Sequence, residues 1–223
     1  MSFAVIFDMD GTLFQTDKIL EPALEDTFTR LREQNRWNRE TPIETYRQIM
    51  GVPLPVVWEH LMPEHAEDER QQANEQFQSL LITQISAGRG ALYPEVEEIL
   101  ADLKRNGFEL YIASNGLVAY LQAITDYYQL DRWVTETFSI EHIPSQHKSD
   151  LVQAIKRKYG IRHGAVVGDR LSDIKAAQDN GLVSIGCHFY FAQPDELAHA
   201  DHVIRSFSEL KTILNRLKQQ SVQ

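Results

Sequence analysis

The sequence predicts an α/β protein whose doubly wound parallel sheet is interrupted, after its first strand, by a set of helices. Short apolar runs such as Ala4-Val5-Ile6-Phe7 are typical of parallel strands that are covered on both faces. From Tyr93 onward such runs alternate with amphipathic helical stripes, which is the chain order of a doubly wound sheet. Between positions 16 and 88 the pattern is helical throughout, so we expect an inserted helical domain there.

The first predicted strand ends in two acids. Asp8 follows the apolar run directly, and Asp10 precedes a Gly-Thr pair. In open α/β sheets, ligands bind at the carboxyl ends of the strands. Gly11 permits a positive φ and a close approach of the main chain to an anion, and Thr12 adds a hydroxyl and an N–H group. This arrangement predicts metal binding and acid–base chemistry on a phosphate, although an Asx turn that closes a strand would use the same residues.

Four helices are predicted in the inserted segment, from apolar residues spaced three and four positions apart. Their expected extents are 19–31, 42–50, 56–61 and 67–86. Thr41 suits an N-cap and Pro42 the first turn of the second helix, which we expect to end at Gly51. Gly88 and Gly90 follow the last helix and suit a hinge. The predicted domains are therefore a core of residues 1–15 and 89–223 and a helical domain of residues 16–88.

The core segment after the hinge shows further strands and helices in alternation. Strands are expected at 110–113, 137–140, 165–168, 183–185 and 202–204. Helical stripes are expected at 96–103, 118–125, 151–159 and 207–217. Connections of this length between strands imply helical crossovers and a parallel sheet.

Three further polar clusters stand where predicted strands end or helices begin. Ser114 and Asn115 lie between a strand and a helix, where a hydroxyl and N–H groups bind phosphate, although Ser is also a common N-cap. Lys148 precedes a helix and offers a charge to a phosphate and to Asp8, although most lysines are simply solvated. Asp169 ends a strand, and Asp173 follows it in a first helical turn, a position that also suits an acid structurally. Acids that converge in this way repel one another unless a cation joins them.

Composition restricts the class of protein. The chain has 223 residues, and 22 Lys and Arg against 32 Asp and Glu leave a formal charge of −10, which argues against a nucleic-acid partner. Cys187 is the one cysteine, so no internal disulfide is possible, and we expect it to be a small buried hydrophobe. No apolar run reaches the ~18 residues that a membrane helix needs, and no leader pattern opens the chain. We therefore expect a cytoplasmic protein without a membrane partner.

Together, the four clusters resemble the motifs of the haloacid dehalogenase (HAD) superfamily, in order and over the span from Phe7 to Ala177. The resemblance implies a Rossmann-like core with an α-helical cap inserted after the first motif, as in the phosphoglycolate phosphatase and 5′-nucleotidase-like branch. It implies that Asp8 is the nucleophile, which forms an aspartyl-phosphate, and that Asp10 is the general acid and base.

The same resemblance assigns the remaining site residues. Mg²⁺ would be held by Asp8, the backbone carbonyl of Asp10 and Asp169, while Asp173 would bind it through water or orient the lysine. The substrate phosphate would be bound by Ser114, Asn115 and Lys148.

The function that this resemblance implies is hydrolysis of a small phosphorylated metabolite by a Mg²⁺-dependent phosphatase, a monomer or homodimer. Thr12 favours a phosphatase over the alternative within the superfamily, a sugar phosphomutase. A phospho-acceptor signalling domain is an alternative of a different class, but such domains are usually compact and lack an inserted bundle. Gln15 stands where this branch usually has an Asp, which leaves the substrate open. The candidate cap contacts to a leaving group are Lys18, Arg47, Gln48 and Trp58, although each of them is better explained as an ordinary surface or bundle residue.

Overall fold

The structure is a computed structural model that describes residues 2–49, 52, 54–190 and 192–221. Its centre is a parallel sheet of six strands in the order β3-β2-β1-β4-β5-β6. The strands are β1 (Phe3–Phe7), β2 (Phe108–Ser114), β3 (Glu136–Ser139), β4 (Gly164–Gly168), β5 (Val183–Cys187) and β6 (His202–Ile204). The chain builds outward from β1 to β2 and β3, and then returns to the other side of β1 for β4. The predicted doubly wound α/β fold is confirmed.

The described part of the chain contains ten α-helices. They are α1 (Asp17–Glu33), α2 (Ile43–Ile49), α3 (Leu54–Leu61), α4 (Glu67–Ser86), α5 (Val96–Arg105), α6 (Val118–Tyr128), α7 (Lys148–Tyr159), α8 (Leu171–Asp179), α9 (Pro194–Leu197) and α10 (Phe207–Gln220). Met50 and Gly51, where the second helix was predicted to end, lie outside the described residues. Helix α3 starts earlier than predicted and includes Pro55, because proline is tolerated in a first turn. Helix α9 was not predicted, since four residues are too few to show a periodicity.

Alternate residues of β1 pack on opposite faces of the sheet. Val5 and Phe7 join an apolar cluster that includes residues of α5 and α10, whereas Ala4 and Ile6 join a second cluster with residues of α7 and α8. Successive side chains of a strand point to opposite faces, so a strand covered on both faces must be apolar at every position. All of β1 is buried, which explains its continuous apolar run.

The segment between β1 and α5, which we call the helical insert (α1–α4), has an aromatic centre. The ring of Trp58 lies 6.1 Å from that of Phe28 and 5.7 Å from that of Phe77. The indole of Trp58 also donates a hydrogen bond of 2.8 Å to Asn74. Trp58 therefore belongs to the packed interior of the insert, and the structure does not place it as a contact to a leaving group.

From composition, we expected Cys187 to be buried and the chain to have no membrane-spanning helix. Cys187 is a free, buried cysteine on β5, as expected for a small core residue. Among the residues described, no helix combines the length and the apolar character required to cross a bilayer.

Candidate active site

The carboxyl ends of β1, β2 and β4 meet at one edge of the sheet, because these strands are parallel neighbours. Asp8 follows β1 and donates its backbone N–H to the carbonyl of Val167 at 2.8 Å. Ser114 ends β2, and Asp169 follows β4. The strand order reverses at β1, which is where open α/β sheets form a ligand crevice.

Lys148, the first residue of α7, joins two of the acids. Its ammonium group forms an ion pair with Asp8 and lies 2.5 Å from Asp173 Oδ1. The lysine is only 6% exposed, and burial by itself would lower its pKa. Asp173 and Asp8 more than reverse this effect and raise the pKa of Lys148 above its ordinary value, so the lysine is charged.

The surroundings of the Asp169 carboxylate suit a metal ion. Carboxylate oxygens of Asp8, Asp169 and Asp173 lie within 4.8 Å of one another, and all three residues are buried. Thr12 donates to Asp169 Oδ1 at 3.3 Å, whereas the buried Oδ2 has no hydrogen-bond partner among the residues described. A buried carboxylate oxygen without a partner is costly, and a set of oxygen donors suits a hard divalent cation such as Mg²⁺.

Two glycines make room for these acids. Gly11 has a φ of +74°, and a Cβ atom there would lie 2.8 Å from Asp169 Cγ. At Gly168 a Cβ atom would overlap the carboxyl group of Asp173. Asp173 is held in this place by Lys148 and by the backbone N–H of Arg170, which donates to Asp173 Oδ2 at 3.1 Å. A side chain at either glycine would therefore displace an acid.

Asp8 has an unusual protonation equilibrium in the absence of a cation. Burial raises its pKa to about 7, Lys148 opposes this rise, and the neighbouring Asp173 and Asp10 reinforce it. A divalent cation beside the carboxylate would favour the ionised form, which is the form that acts as a nucleophile. The site thus needs positive charge in addition to that of Lys148.

Asp10 lies apart from the three-acid group, and its side chain contacts hydroxyl groups. Thr16 and Tyr120 donate to Asp10 Oδ1 at 2.6 and 2.5 Å. Burial raises the pKa of Asp10, and these hydrogen bonds partly oppose the rise. A carboxyl group with a raised pKa and a fixed orientation suits proton transfer. Tyr120 was not predicted as a site residue, because it lies outside the apolar stripe of Val118, Leu121 and Ile124 that predicts α6.

Ser114 and Asn115 stand beside these acids on the loop between β2 and α6. The buried Ser114 hydroxyl accepts the N–H group of Gly116 at 3.0 Å. The first N–H of α6, that of Val118, donates to the carboxylate of Glu141 at 2.6 Å. Ser114, Asn115 and Gly116 all line the cleft that contains the acids. The structure therefore brings all of the predicted site residues to one cleft or its immediate surroundings.

The helical insert forms the opposite wall of the cleft. Among the residues that the structure describes, this wall is lined by Tyr46, Val52, Leu54, Gln78 and Leu81, with Thr16 at the start of the insert. None of the cap residues suggested by the sequence lines the cleft: Lys18 and Gln48 are exposed, and Arg47 forms ion pairs with Glu21 and Glu44. Tyr46 and Leu81 belonged to predicted apolar stripes, and periodicity does not tell a core residue from a cleft residue.

A second cation, Arg170, lies at the core side of the cleft. Its guanidinium donates to both carboxylate oxygens of Glu196 on α9, at 3.0 and 3.2 Å. Glu196 also accepts the backbone N–H of Leu171 at 2.8 Å. The unpredicted helix α9 therefore supplies the acid that orients Arg170 and compensates its charge.

Comparison with known proteins assigns this geometry to a family. The family model described as haloacid dehalogenase-like hydrolase matches residues 4–181. The chain is 28% identical over 219 aligned positions to the probable phosphatase IndB of Dickeya dadantii, covering 92% of this chain and 90% of that protein. It is 24% identical over 218 positions to a 5′-nucleotidase of Pseudomonas aeruginosa, with 94% of each protein covered.

A similar solved structure is that of a predicted phosphoglycolate phosphatase from Haemophilus somnus 129PT. Its TM-score is 0.84 and its identity 21%, with 96% of this chain and 98% of that one covered, so the likeness concerns the fold. The family match spans the first strand, the helical insert and the segment up to α8. This protein is therefore an enzyme that belongs to the haloacid dehalogenase-like hydrolase family.

Proposed function

We propose that this enzyme is a Mg²⁺-dependent phosphatase, a phosphoric monoester hydrolase that acts on a small phosphorylated metabolite through an aspartyl-phosphate on Asp8. The observation that carries the proposal is the buried ion-pair network of Asp8, Lys148 and Asp173 beside the unpartnered oxygen of Asp169. Phosphoryl transfer depends mainly on positioning and on compensation of charge, and this network supplies both. The relatives named as a probable phosphatase and a 5′-nucleotidase support the same reaction class.

In the first step, a carboxylate oxygen of Asp8 attacks phosphorus and the bond to the ester oxygen breaks. Asp10 gives a proton to that leaving oxygen, so the alcohol departs neutral. In the second step, water attacks the phosphorus of the aspartyl-phosphate, the bond between phosphorus and the Asp8 oxygen breaks, and Asp10 takes a proton from the attacking water. Inorganic phosphate leaves, and Asp8 and Asp10 return to their starting states.

The remaining residues bind and orient the phosphate and the cation. Mg²⁺ would be held by Asp8, Asp169 and the backbone carbonyl of Asp10, with Asp173 near it, and would supply positive charge to the phosphate oxygens. Lys148 supplies a further positive charge next to the nucleophile. Ser114 and Asn115 donate hydrogen bonds to the phosphate from the cleft loop.

The helical insert acts as a cap that closes over the bound phosphate and excludes water. We place the cap at residues 16–88 and the core at residues 1–15 and 89–223. The cavity between them has a volume of about 70 Å³. This is far below the roughly 300–1,000 Å³ of most small-molecule sites. Substrate entry therefore requires the cap to move away from the core.

The test is release of inorganic phosphate from an aryl phosphate. The purified enzyme should be active with Mg²⁺, inactive after chelation, and active again when Mg²⁺ returns. Asp8→Asn should abolish turnover without unfolding the protein. The control is Asp131→Asn, at an exposed acid that does not line the cleft, and it should retain normal turnover. Full activity in Asp8→Asn, or after chelation, would contradict the proposal. A parallel assay for sugar phosphate isomerisation separates the phosphatase from the phosphomutase.

A further inference from the structure

The insert wall of the cleft carries no ionised side chain in the part of the chain that the structure describes. Leu54, Leu81 and Val52 present apolar surface, and the polar groups are the phenol of Tyr46, the amide of Gln78 and, at the start of the insert, the hydroxyl of Thr16, which donates to Asp10. A tyrosine is neutral at physiological pH and an amide does not titrate there. The facing core wall, beyond the phosphate site, continues with Leu117 and Tyr120, which are also uncharged.

The cations that line the cleft both belong to the core side and both have acidic partners. Lys148 is paired with Asp8 and Asp173. Arg170 is paired with both oxygens of Glu196. A second anionic group on a substrate, placed against the insert, would meet apolar side chains and the aspartates of the phosphate site. Moving an anion from water to such a wall without a cationic partner is costly.

Gln78 is the polar side chain of α4 that faces this space. It is half-buried, it lines the cleft, and it makes no hydrogen bond with another described residue. A half-buried amide without a partner is available to a ligand as both a donor and an acceptor. Gln78 and the Tyr46 phenol thus offer neutral hydrogen bonds on an otherwise apolar wall.

We infer that the substrate is a phosphate monoester of an uncharged alcohol or phenol, which has an apolar face for Leu54 and Leu81 and a neutral hydrogen-bonding group for Gln78. Bisphosphates and carboxylated esters such as phosphoglycolate are poor substrates of this enzyme. The inference rests on the proposed function, because it assumes that the cleft binds the phosphate at Asp8 and the leaving group against the insert.

The test compares two esters that differ in charge and hardly in shape, 4-carbamoylphenyl phosphate and 4-carboxyphenyl phosphate. With Mg²⁺ and constant ionic strength, kcat/KM should be at least about tenfold higher for the amide than for the carboxylate. A tenfold ratio corresponds to a difference of ~1.4 kcal/mol in activation free energy. Gln78→Arg, which adds a cation to the wall, should reduce this ratio at least threefold. Ser79→Arg adds the same charge on the exposed face of α4 and should leave the ratio unchanged. Thermal midpoints establish that both variants are folded.

Each outcome bears on the inference. Equal rates for the two esters, or faster hydrolysis of the carboxylate, would overturn the substrate class although the phosphatase function would stand. A ratio that changes equally in Gln78→Arg and Ser79→Arg would overturn the assignment of Gln78 to the leaving-group wall. If neither ester releases phosphate under any condition, the proposed function fails, and the inference fails with it.

Discussion

The phenol of Tyr120 donates a hydrogen bond of 2.5 Å to Asp10 Oδ1, across 110 positions of the chain. It ties helix α6, which follows β2, to the loop that follows β1. Thr16, at the start of the insert, donates to the same oxygen. The carboxyl group proposed as the general acid and base is therefore oriented by one residue of the core and by one residue at the start of the insert.

Tyr120→Phe tests whether this orientation matters for catalysis. Removing a hydrogen bond to a charged group costs roughly 1.5–3 kcal/mol, so we expect kcat to fall about tenfold to a hundredfold with little change in KM. Tyr127→Phe, at a half-exposed tyrosine of the same helix, is the matched control. Steady-state kinetics of both variants give the answer. Equal kcat values in the two variants would show that Tyr120 has no positioning role.

Asp10→Asn should slow the reaction more than Tyr120→Phe does, because it removes the proton donor itself. General acid–base catalysis is worth roughly 10² to 10⁴ in rate, and we expect a loss of kcat in that range. The loss should be larger for an alkyl phosphate than for a nitrophenyl phosphate, whose leaving group needs less help from a proton. A uniform loss over leaving groups of different basicity would argue against Asp10 as the acid.

Gly11→Ala should remove activity by displacing Asp169. The substitution combines a left-handed backbone conformation, which costs an ordinary residue of order 1–3 kcal/mol, with a clash against the Asp169 carboxyl group. Gly160→Ala is the control, because Gly160 also has a positive φ of +64° but a Cβ atom there would meet no other atom within 4 Å. Both variants should lose stability, and Gly11→Ala alone should lose turnover. Denaturant unfolding and phosphate release separate the two effects.

Asp169→Asn should weaken the response to Mg²⁺ and stabilise the metal-free protein. Burial, together with Asp8 and Asp173, raises the pKa of Asp169 well above its ordinary value. Since the folded state then disfavours the ionised form at neutral pH, removing the charge removes a destabilising contribution. We expect a higher thermal midpoint without Mg²⁺ and a smaller rise on adding it. A rise as large as that of the unaltered enzyme would exclude Asp169 as a ligand.

Asp201→Asn tests a contact remote from the site. The backbone N–H and the hydroxyl of Ser184 donate hydrogen bonds to Asp201 Oδ2 at 2.8 and 2.7 Å. The hydrogen bond from the backbone N–H is the main cause of the lowered pKa of Asp201. A lowered pKa means stabilisation at neutral pH that is lost as the pH falls through the folded-state pKa. The variant should have a lower free energy of unfolding at neutral pH, by less than the ~1 kcal/mol of a typical hydrogen bond because Asp201 is exposed to solvent, and a normal kcat. The difference in free energy should shrink in acid. A difference independent of pH would contradict this.

Much of the fold could be predicted because its determinants are local. The run Ala4–Phe7 had to be buried on both faces, and strands separated by helices of this length can hardly form anything but a parallel sheet. The ends of α4 and β6 also followed from local patterns and agree with the structure. Helix α9 did not, since a single turn carries no periodic signal.

Some of the residues proposed for catalysis could also be predicted from local sequence patterns. Asp8 and Asp169 come directly after apolar strands, and the carboxyl ends of parallel strands meet at one edge. Lys148 could be selected only through the family resemblance, because nothing local distinguishes a buried lysine at a helix start from a solvated one. The structure places it between Asp8 and Asp173.

By itself, then, the amino-acid sequence determined the family, the sheet and the edge at which the acids lie. Only the packing of α2, α3 and α4 over the core showed which residues line the cleft opposite that edge. This packing buries Trp58 inside the insert and places Tyr46 and Gln78 in the cleft that contains the acids. The physical reason is that hydrophobic periodicity shows which face of a helix avoids water. It does not show whether that face meets another helix or a substrate, since both surfaces are apolar and both are buried.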